Sequence, residues 1–181
     1  MIPLGYMLKT VTAPAPEWMG APDVKAVHSV SNCVSSDFGD YIPLWKHNGW
    51  WFFDTPEAAL DAAASMGVHT DAPRLFYYEA FEKQWDDEAK SWGNFAPEDF
   101  PTQITPPASA TLSGFDVVTF TVGTAPECSP LSCNGLATPL GANQLCLFDD
   151  FEQAFDAVEQ GRFHDSEPGP YRIISVYLVA Q

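Results

Sequence analysis

Trp51-Phe52-Phe53-Asp54-Thr55-Pro56-Glu57-Ala58-Ala59-Leu60-Asp61-Ala62-Ala63 returns 95 positions later as Cys146-Leu147-Phe148-Asp149-Asp150-Phe151-Glu152-Gln153-Ala154-Phe155-Asp156-Ala157-Val158. Six of the thirteen aligned positions are identical: Phe53/Phe148, Asp54/Asp149, Glu57/Glu152, Ala59/Ala154, Asp61/Asp156 and Ala62/Ala157. The same offset carries Cys33 onto Cys128. A single long internal period of this kind predicts two related units rather than a solenoid.

Each copy reads as a strand running into a helix. Gly49–Phe53 and Gln144–Phe148 carry the apolar run of a strand. An Asp-x-x-Glu capping box follows, Asp54 with Glu57 and Asp149 with Glu152. The Asp side chain is expected to accept from an amide of the first turn while the Glu reaches back to the cap amide. Pro56 suits that turn because its missing N–H has no partner there to lose. Ala59, Leu60, Ala63 and Met66 recur at helical spacing, as do Ala154, Phe155 and Val158. Gly67 and Gly161 read as C-terminal stops.

Further strands flank these cores. Val24–Val30 and Phe115–Val122 are rich in β-branched residues and read as first strands. Arg74–Phe81 and Tyr171–Val179 read as last strands. The unit is therefore ββαβ, and so small a unit is marginal alone, which favours two packed together. The expected fold is α+β, with two such units in pseudo-twofold relation, a mostly antiparallel or mixed sheet and one helix per unit. Residues 1–23 form an N-terminal strand, Tyr6 to Val11, and a Pro-rich arm. Residues 24–91 are the first unit and 114–181 the second. The connector, 92–113, holds Pro97, Pro101, Pro106 and Pro107. Glu82–Lys90 is expected to add a short helix.

Charge narrows the partners. There are 24 acids against 8 bases among 181 residues, a formal charge of −16. Bare nucleic acid needs a basic footprint, and an anionic membrane repels such a chain. A basic protein surface is the partner this charge favours. With 46% hydrophobic residues the chain can bury a core. No apolar run approaches the ~20 residues of a membrane span. The opening Met1–Lys9 has no basic stretch ahead of an uninterrupted apolar run, so no secretory signal is read and a cytoplasmic location is expected.

The cysteines, Cys33, Cys128, Cys133 and Cys146, include no Cys-x-x-Cys, and reduced thiols are expected in the cytoplasm. No metal or cofactor is assigned. Cys128, Cys133 and His28 are the candidates for catalysis, through a Cys nucleophile paired with His28 or His47. Cys33, Cys128 and Cys133 with His28 would be the alternative as a zinc set. Against both stands the reading that Ser, Asn and Pro shape tight loops while the thiols pack as small apolar groups. The order His28, Gly49–Phe53, Glu79 resembles the His, aromatic, Glu order of the ADP-ribosyltransferases. The second copy repeats the strand and helix without the His or the Glu, which assigns that order to scaffold.

Binding candidates are Tyr41, Trp45 and His47, in the loop before an aromatic strand, and the acids Asp86 and Asp87. The functional expectation is an acidic, non-enzymatic binding protein that occupies a basic protein partner, of an immunity or anti-defence type. The alternatives are a small enzyme with a Cys/His site between the units and a small-molecule sensor.

Overall fold

A computed structural model describes residues 1–31, 34, 48–65, 67, 74–95, 103–119 and 128–180. The fold is α+β, with a mostly antiparallel six-stranded sheet and few helices. The strands are β1 (Ile2–Lys9), β2 (Arg74–Ala80), β3 (Lys83–Asp86), β4 (Ser91–Asn94), β5 (Ala110–Thr119) and β6 (Tyr171–Val179). The helices are α1 (Pro56–Ser65), the single turn α2 (Pro130–Cys133) and α3 (Phe151–Glu159).

Central strand β6 organises the sheet. β5 pairs along its whole length, from Thr119↔Tyr171 to Ala110↔Val179. Its other edge takes β2 and then β3, where Trp85 pairs with Tyr171. β1 lies outside β2 and β4 outside β3. Alternation sends successive side chains to opposite faces. One face buries Tyr6, Leu8, Leu75 and Tyr77 against Ala59 and Ala63 of α1, and Val117 and Ile173 against Ala154 and Val158 of α3. Met7, Phe76, Tyr78, Ile174, Val176 and Val118 line the other, beneath Val30, Trp50, Phe52, Phe95 and Leu147.

Several expectations are corrected. Val24–Val30 is not a strand: only Val27 makes a bridge, to Thr12, and β1 is the strand of that half. The aromatic run Gly49–Phe53 is a turn, as is Gln144–Phe148; among the described residues each makes a single β-bridge, Tyr6↔Phe53 and Phe115↔Phe148. Glu82–Lys90 is no helix but the β3–β4 hairpin. The helix caps sit one residue later than the Asp-x-x-Glu pattern places them. Thr55 Oγ1 accepts from Ala58 N at 3.2 Å and Asp150 Oδ1 from Gln153 N at 2.8 Å. Asp54 and Asp149 are occupied elsewhere, by asparagines.

Those asparagines explain why an aromatic run becomes a turn. Asn48 Nδ2 donates to Leu4 O at 3.1 Å and to Asp54 Oδ1 at 2.9 Å, while its Oδ1 accepts from Trp50 N at 2.9 Å and Phe52 N at 3.0 Å. Asn143 repeats the set: Nδ2 to Ser113 O and Asp149 Oδ1, both 3.1 Å, and Oδ1 from Leu145 N at 2.8 Å and Leu147 N at 3.2 Å. Each amide thereby uses both donors and both acceptor sites. Trp51 and Cys146 take the left-handed conformation at the crest, with φ 67° and 65°. Each turn then seals a sheet edge, through Tyr6 N–Phe53 O and Phe53 N–Tyr6 O, and through Phe115 N–Phe148 O and Phe148 N–Phe115 O.

Close approach of turn and strand requires glycine. Gly5 and Gly114 sit at bulges of β1 and β5 with φ 121° and 143°. A Cβ on either would collide with the carbonyl oxygen of Phe53 or Phe148. Deleting one Asn side chain strands several buried groups at once, so Asn48→Ala and Asn143→Ala are each expected to lower unfolding free energy by about 3 kcal/mol in urea denaturation. A loss below about 1 kcal/mol at both sites would show that the turns hold without them.

Candidate functional site

Two places gather chemistry: a buried polar cluster where the loop after β5 meets residues 28–31, and an acidic groove beside the β3–β4 hairpin. Asp116, on β5, is the centre of the first and is fully buried. Its Oδ2 accepts from Val30 N at 2.7 Å and Ser29 Oγ at 2.9 Å, and its Oδ1 from Ser129 Oγ at 2.6 Å. Lys9, on β1 and 5% exposed, donates from Nζ to the carbonyls of Ser29, Val30 and Ser31. One three-residue segment is thus held from two sides, by a carboxylate on its amide and hydroxyl and by an ammonium on its carbonyls.

Cys133 joins this cluster. Its Sγ is 3.6 Å from Ser31 Oγ and 3.8 Å from Ser132 Oγ. Ser132 donates to Ser29 Oγ at 3.2 Å, and Ser29 donates on to Asp116. A continuous chain of hydroxyls therefore links the thiol to the carboxylate. Its terminus is the buried Asp116 carboxylate, two hydroxyls away from the thiol. The arrangement ties Ser29–Ser31 and Ser129–Cys133 to β5.

His28 takes no part in that chain. Its Nδ1 lies 3.1 Å from Ser113 Oγ, and its ring meets Phe76 edge-on at 5.1 Å. Burial first, and the charge of Lys9 second, push its pKa down to about 4, so it is neutral at pH 7. Glu79 lies on the opposite face of β2 from Phe76, where it accepts from Tyr77 and Tyr177 hydroxyls at 3.1 and 3.3 Å. The sheet stands between His28 and Glu79, which ends the likeness to ADP-ribosyltransferases. Cys146 is buried, and desolvation holds its thiol well above the usual range. Among the described residues no three metal-ligating side chains converge, and no disulfide joins the cysteines. Cys33, Tyr41, Trp45 and His47 lie outside the described residues.

The groove contains Asp86 and Asp87. About 540 Å³ of open space lies between Gln84, Asp86, Asp87 and Glu88 on the hairpin and His164, Ser166 and Pro168–Pro170 ahead of β6. Asp86 Oδ1 accepts from Glu88 N and Ala89 N, both at 2.9 Å, which shapes the hairpin turn. Asp87 Oδ1 accepts from Lys90 Nζ at 2.7 Å and from Trp85 Nε1 at 3.3 Å. The hydrogen bond from Lys90 is the chief reason the Asp87 carboxyl stays below its ordinary range.

Sequence reasoning missed Lys9, Asp116, Ser29, Ser129 and Ser132. Their partners lie far apart in the chain, 86 residues for Asp116 with Val30 and 103 for Ser132 with Ser29, so no local spacing betrays them. It also missed a cluster of half-buried aromatics, Phe81, Trp92, Phe115, Phe151 and Phe155. Phe151 and Phe155, four apart on α3 beside the buried Ala154 and Val158, were the available signal: the apolar arc is wider than one face needs. Comparison with protein-family models, curated proteins and solved structures finds no match.

Two expected outcomes follow from the buried cluster. Desolvation raises the Asp116 pKa to about 6 against an ordinary 3.8, and the hydrogen bonds from Ser129, Val30 and Ser29 only partly offset it. The folded state thus binds the proton more tightly than the unfolded. The stabilising contribution is complete below pH 3.8 and disappears as pH rises through about 6. Unfolding free energies from pH 3.5 to 7.5 are expected to fall for the native chain relative to Asp116→Asn across that window; a flat difference would contradict the burial cost. The second outcome concerns Tyr78, fully buried, whose hydroxyl has no hydrogen-bond partner among the described residues. Tyr78→Phe removes an unsatisfied group, so stability should hold or rise by about 1 kcal/mol. A loss of that size instead would mean that the hydroxyl is satisfied in solution.

Proposed function

We propose that the protein is an acidic, non-catalytic binding protein that occupies a basic segment of a protein partner, as an inhibitor of immunity or anti-defence type does. The observation that carries this reading is the open groove beside the β3–β4 hairpin, with Asp86, Asp87 and Glu88 along one wall. A groove lined by one sign of charge attracts the opposite sign and raises the encounter rate. Asp86 and Glu88 are exposed there, within reach of an incoming Lys or Arg side chain. The −16 charge of the chain extends the attraction beyond the groove and disfavours bare nucleic acid and anionic membrane as partners. No helix among the described residues is long and apolar enough to cross a membrane. A cytoplasmic place of action is part of the proposal.

The same reading includes an internal duplication, with β1, the Asn48 turn, α1 and β2 as one copy and β5, the Asn143 turn, α3 and β6 as the other. The identical asparagine bonding and the paired glycine contacts support it. So does the symmetric pairing of β2 with β6 about Tyr78↔Val176. The unit is then β-turn-αβ, and the β3–β4 hairpin with its groove is an addition to one copy.

Charge at the groove sets association more than dissociation. Protein captured from the native host on immobilised chain is identified, purified and its association followed by stopped flow. The Glu88→Lys variant is expected to slow association about tenfold at low salt and to match the parent at high salt, because screening acts over about 8 Å at physiological ionic strength. An unchanged association rate, or a captured partner with an acidic surface, would overturn the groove as the site.

A further inference from the structure

We infer that the aromatic ridge formed by Phe81, Trp92, Phe151 and Phe155 is the anchoring surface for an arginine-bearing segment of a basic protein partner. The inference rests on the binding reading above and concerns a different surface.

The ridge is built from three elements. Trp92 on β4 stacks on Phe155 of α3 with centroids 4.8 Å apart and planes 14° from parallel. Phe81, between β2 and β3, meets Trp92 edge-on at 5.5 Å and Phe151 edge-on at 5.0 Å. Phe151 and Phe155 are 5.7 Å apart, one helical turn along α3. All four are partly exposed. The helix does not need them to dock, since Ala154, Ala157 and Val158 already form its buried stripe. Scattered single aromatics on a surface mean little; a contiguous set in mutual contact marks a recognition surface.

Two observations choose the occupant. Trp92 Nε1 donates to Glu159 Oε1 at 3.0 Å, which fixes the indole and sets a carboxylate at the ridge. Glu82, Asp149, Asp150, Glu152, Asp156 and Glu159 are all exposed on the elements that carry the ridge, and no Lys or Arg occurs between residues 91 and 161. Aromatic surface within an acidic rim complements a guanidinium, which is planar, stacks on rings and keeps its charge for carboxylates. A second copy of this chain would bring the same acids against one another, so the charge disfavours it. The outer edge of β4, the last strand of the sheet order among the described residues, lies alongside the ridge. An extended partner segment could pair there while its side chains reach the aromatics.

The groove meets the support of the ridge at Asp87, which accepts from Trp85 Nε1 at 3.3 Å, whereas Glu88 is exposed on the hairpin turn. Gln84 and Asp86 project to the opposite face of β3 from Trp85, which meets Trp92 edge-on at 5.4 Å. A test uses a synthetic peptide of alternating Arg and Leu, and a twin with citrulline in place of arginine, which keeps the planar shape without the charge. Binding to the full chain is read by calorimetry and by the indole N–H resonance of Trp92. The arginine peptide is expected to bind about tenfold or more tightly than its twin, with that resonance shifted. Phe155→Ala should weaken it about tenfold and the exposed Glu159→Gln about threefold, while Glu88→Lys in the groove changes affinity less than twofold. Should Phe155→Ala fail to fold, Glu159→Gln and the Trp92 resonance decide. If Glu88→Lys alone abolishes binding, the ridge is overturned and the groove reading stands. Equal binding of both peptides overturns the arginine preference. Sedimentation of the unliganded chain as a dimer that Glu159→Gln strengthens would make a second copy the occupant instead. No binding of the arginine peptide at any salt overturns the ridge, and the groove is then decided by the association kinetics of the captured partner.

Discussion

An asparagine side chain bound on all four of its sites is the constraint on which this molecule turns. At Asn48 and again at Asn143 the carboxamide collects two amides of the following turn, the carbonyl of an edge strand and an aspartate. The turn is thereby closed, pressed against a glycine bulge and joined to the start of a helix. Each half of the sheet gets a sealed edge and a helix delivered to the correct face by one residue. Phe52 and Phe53 leave the turn toward opposite faces of the sheet, as do Leu147 and Phe148. Both cores are therefore stitched at the same points.

The buried charges have a related task. Lys9 and Asp116 stand on β1 and β5, at opposite sides of the sheet order, yet both hold Ser29–Ser31. Arg172 on β6 is buried too; Nε and Nη2 donate to Gln84 Oε1, at 3.2 and 2.7 Å, and its guanidinium lies 3.5 Å over the Phe95 ring. Desolvation depresses its pKa to about 9, and the group keeps its charge at pH 7. Buried charges with polar partners give little net stability, but removing one partner is costly because it strands the other without solvent. That is an organising role, and it accounts for a Cys, Ser and Asp cluster without assigning it a reaction.

What faces solvent differs in kind. Acids crowd the hairpin turn and α3, and the aromatics between them are only half covered. The interior spends its polar groups on holding loops to a sheet, while the surface concentrates negative charge around rings. The binding role proposed above draws on both features, because charge accelerates encounter and desolvated aromatics hold a complex.

Local chemistry alone determined helices α1 and α3, from Ala59 and Ala63 or Ala154 and Val158 at helical spacing, and the long strands β2, β6 and, from Phe115 onward, β5, from their β-branched and aromatic runs. The repeated Phe-Asp and Glu-x-Ala positions marked the two stretches where a turn runs into a helix. Tertiary structure decided the rest. Gly49–Phe53 has the pattern of a strand, but the Asn48 side chain takes the amides that a strand would offer a neighbour, so the run turns. Asp54 and Asp149 look like caps, but the same asparagines claim them and the cap passes to Thr55 and Asp150. β1, with Pro3 and Gly5, reads weakly as a strand, and its place depends on the turn that presses on that glycine. The polar cluster, and the ridge beyond its Phe151–Phe155 pair, escaped the sequence for one reason. Each joins residues separated by tens of positions, and only the antiparallel pairing about β6 makes such residues neighbours.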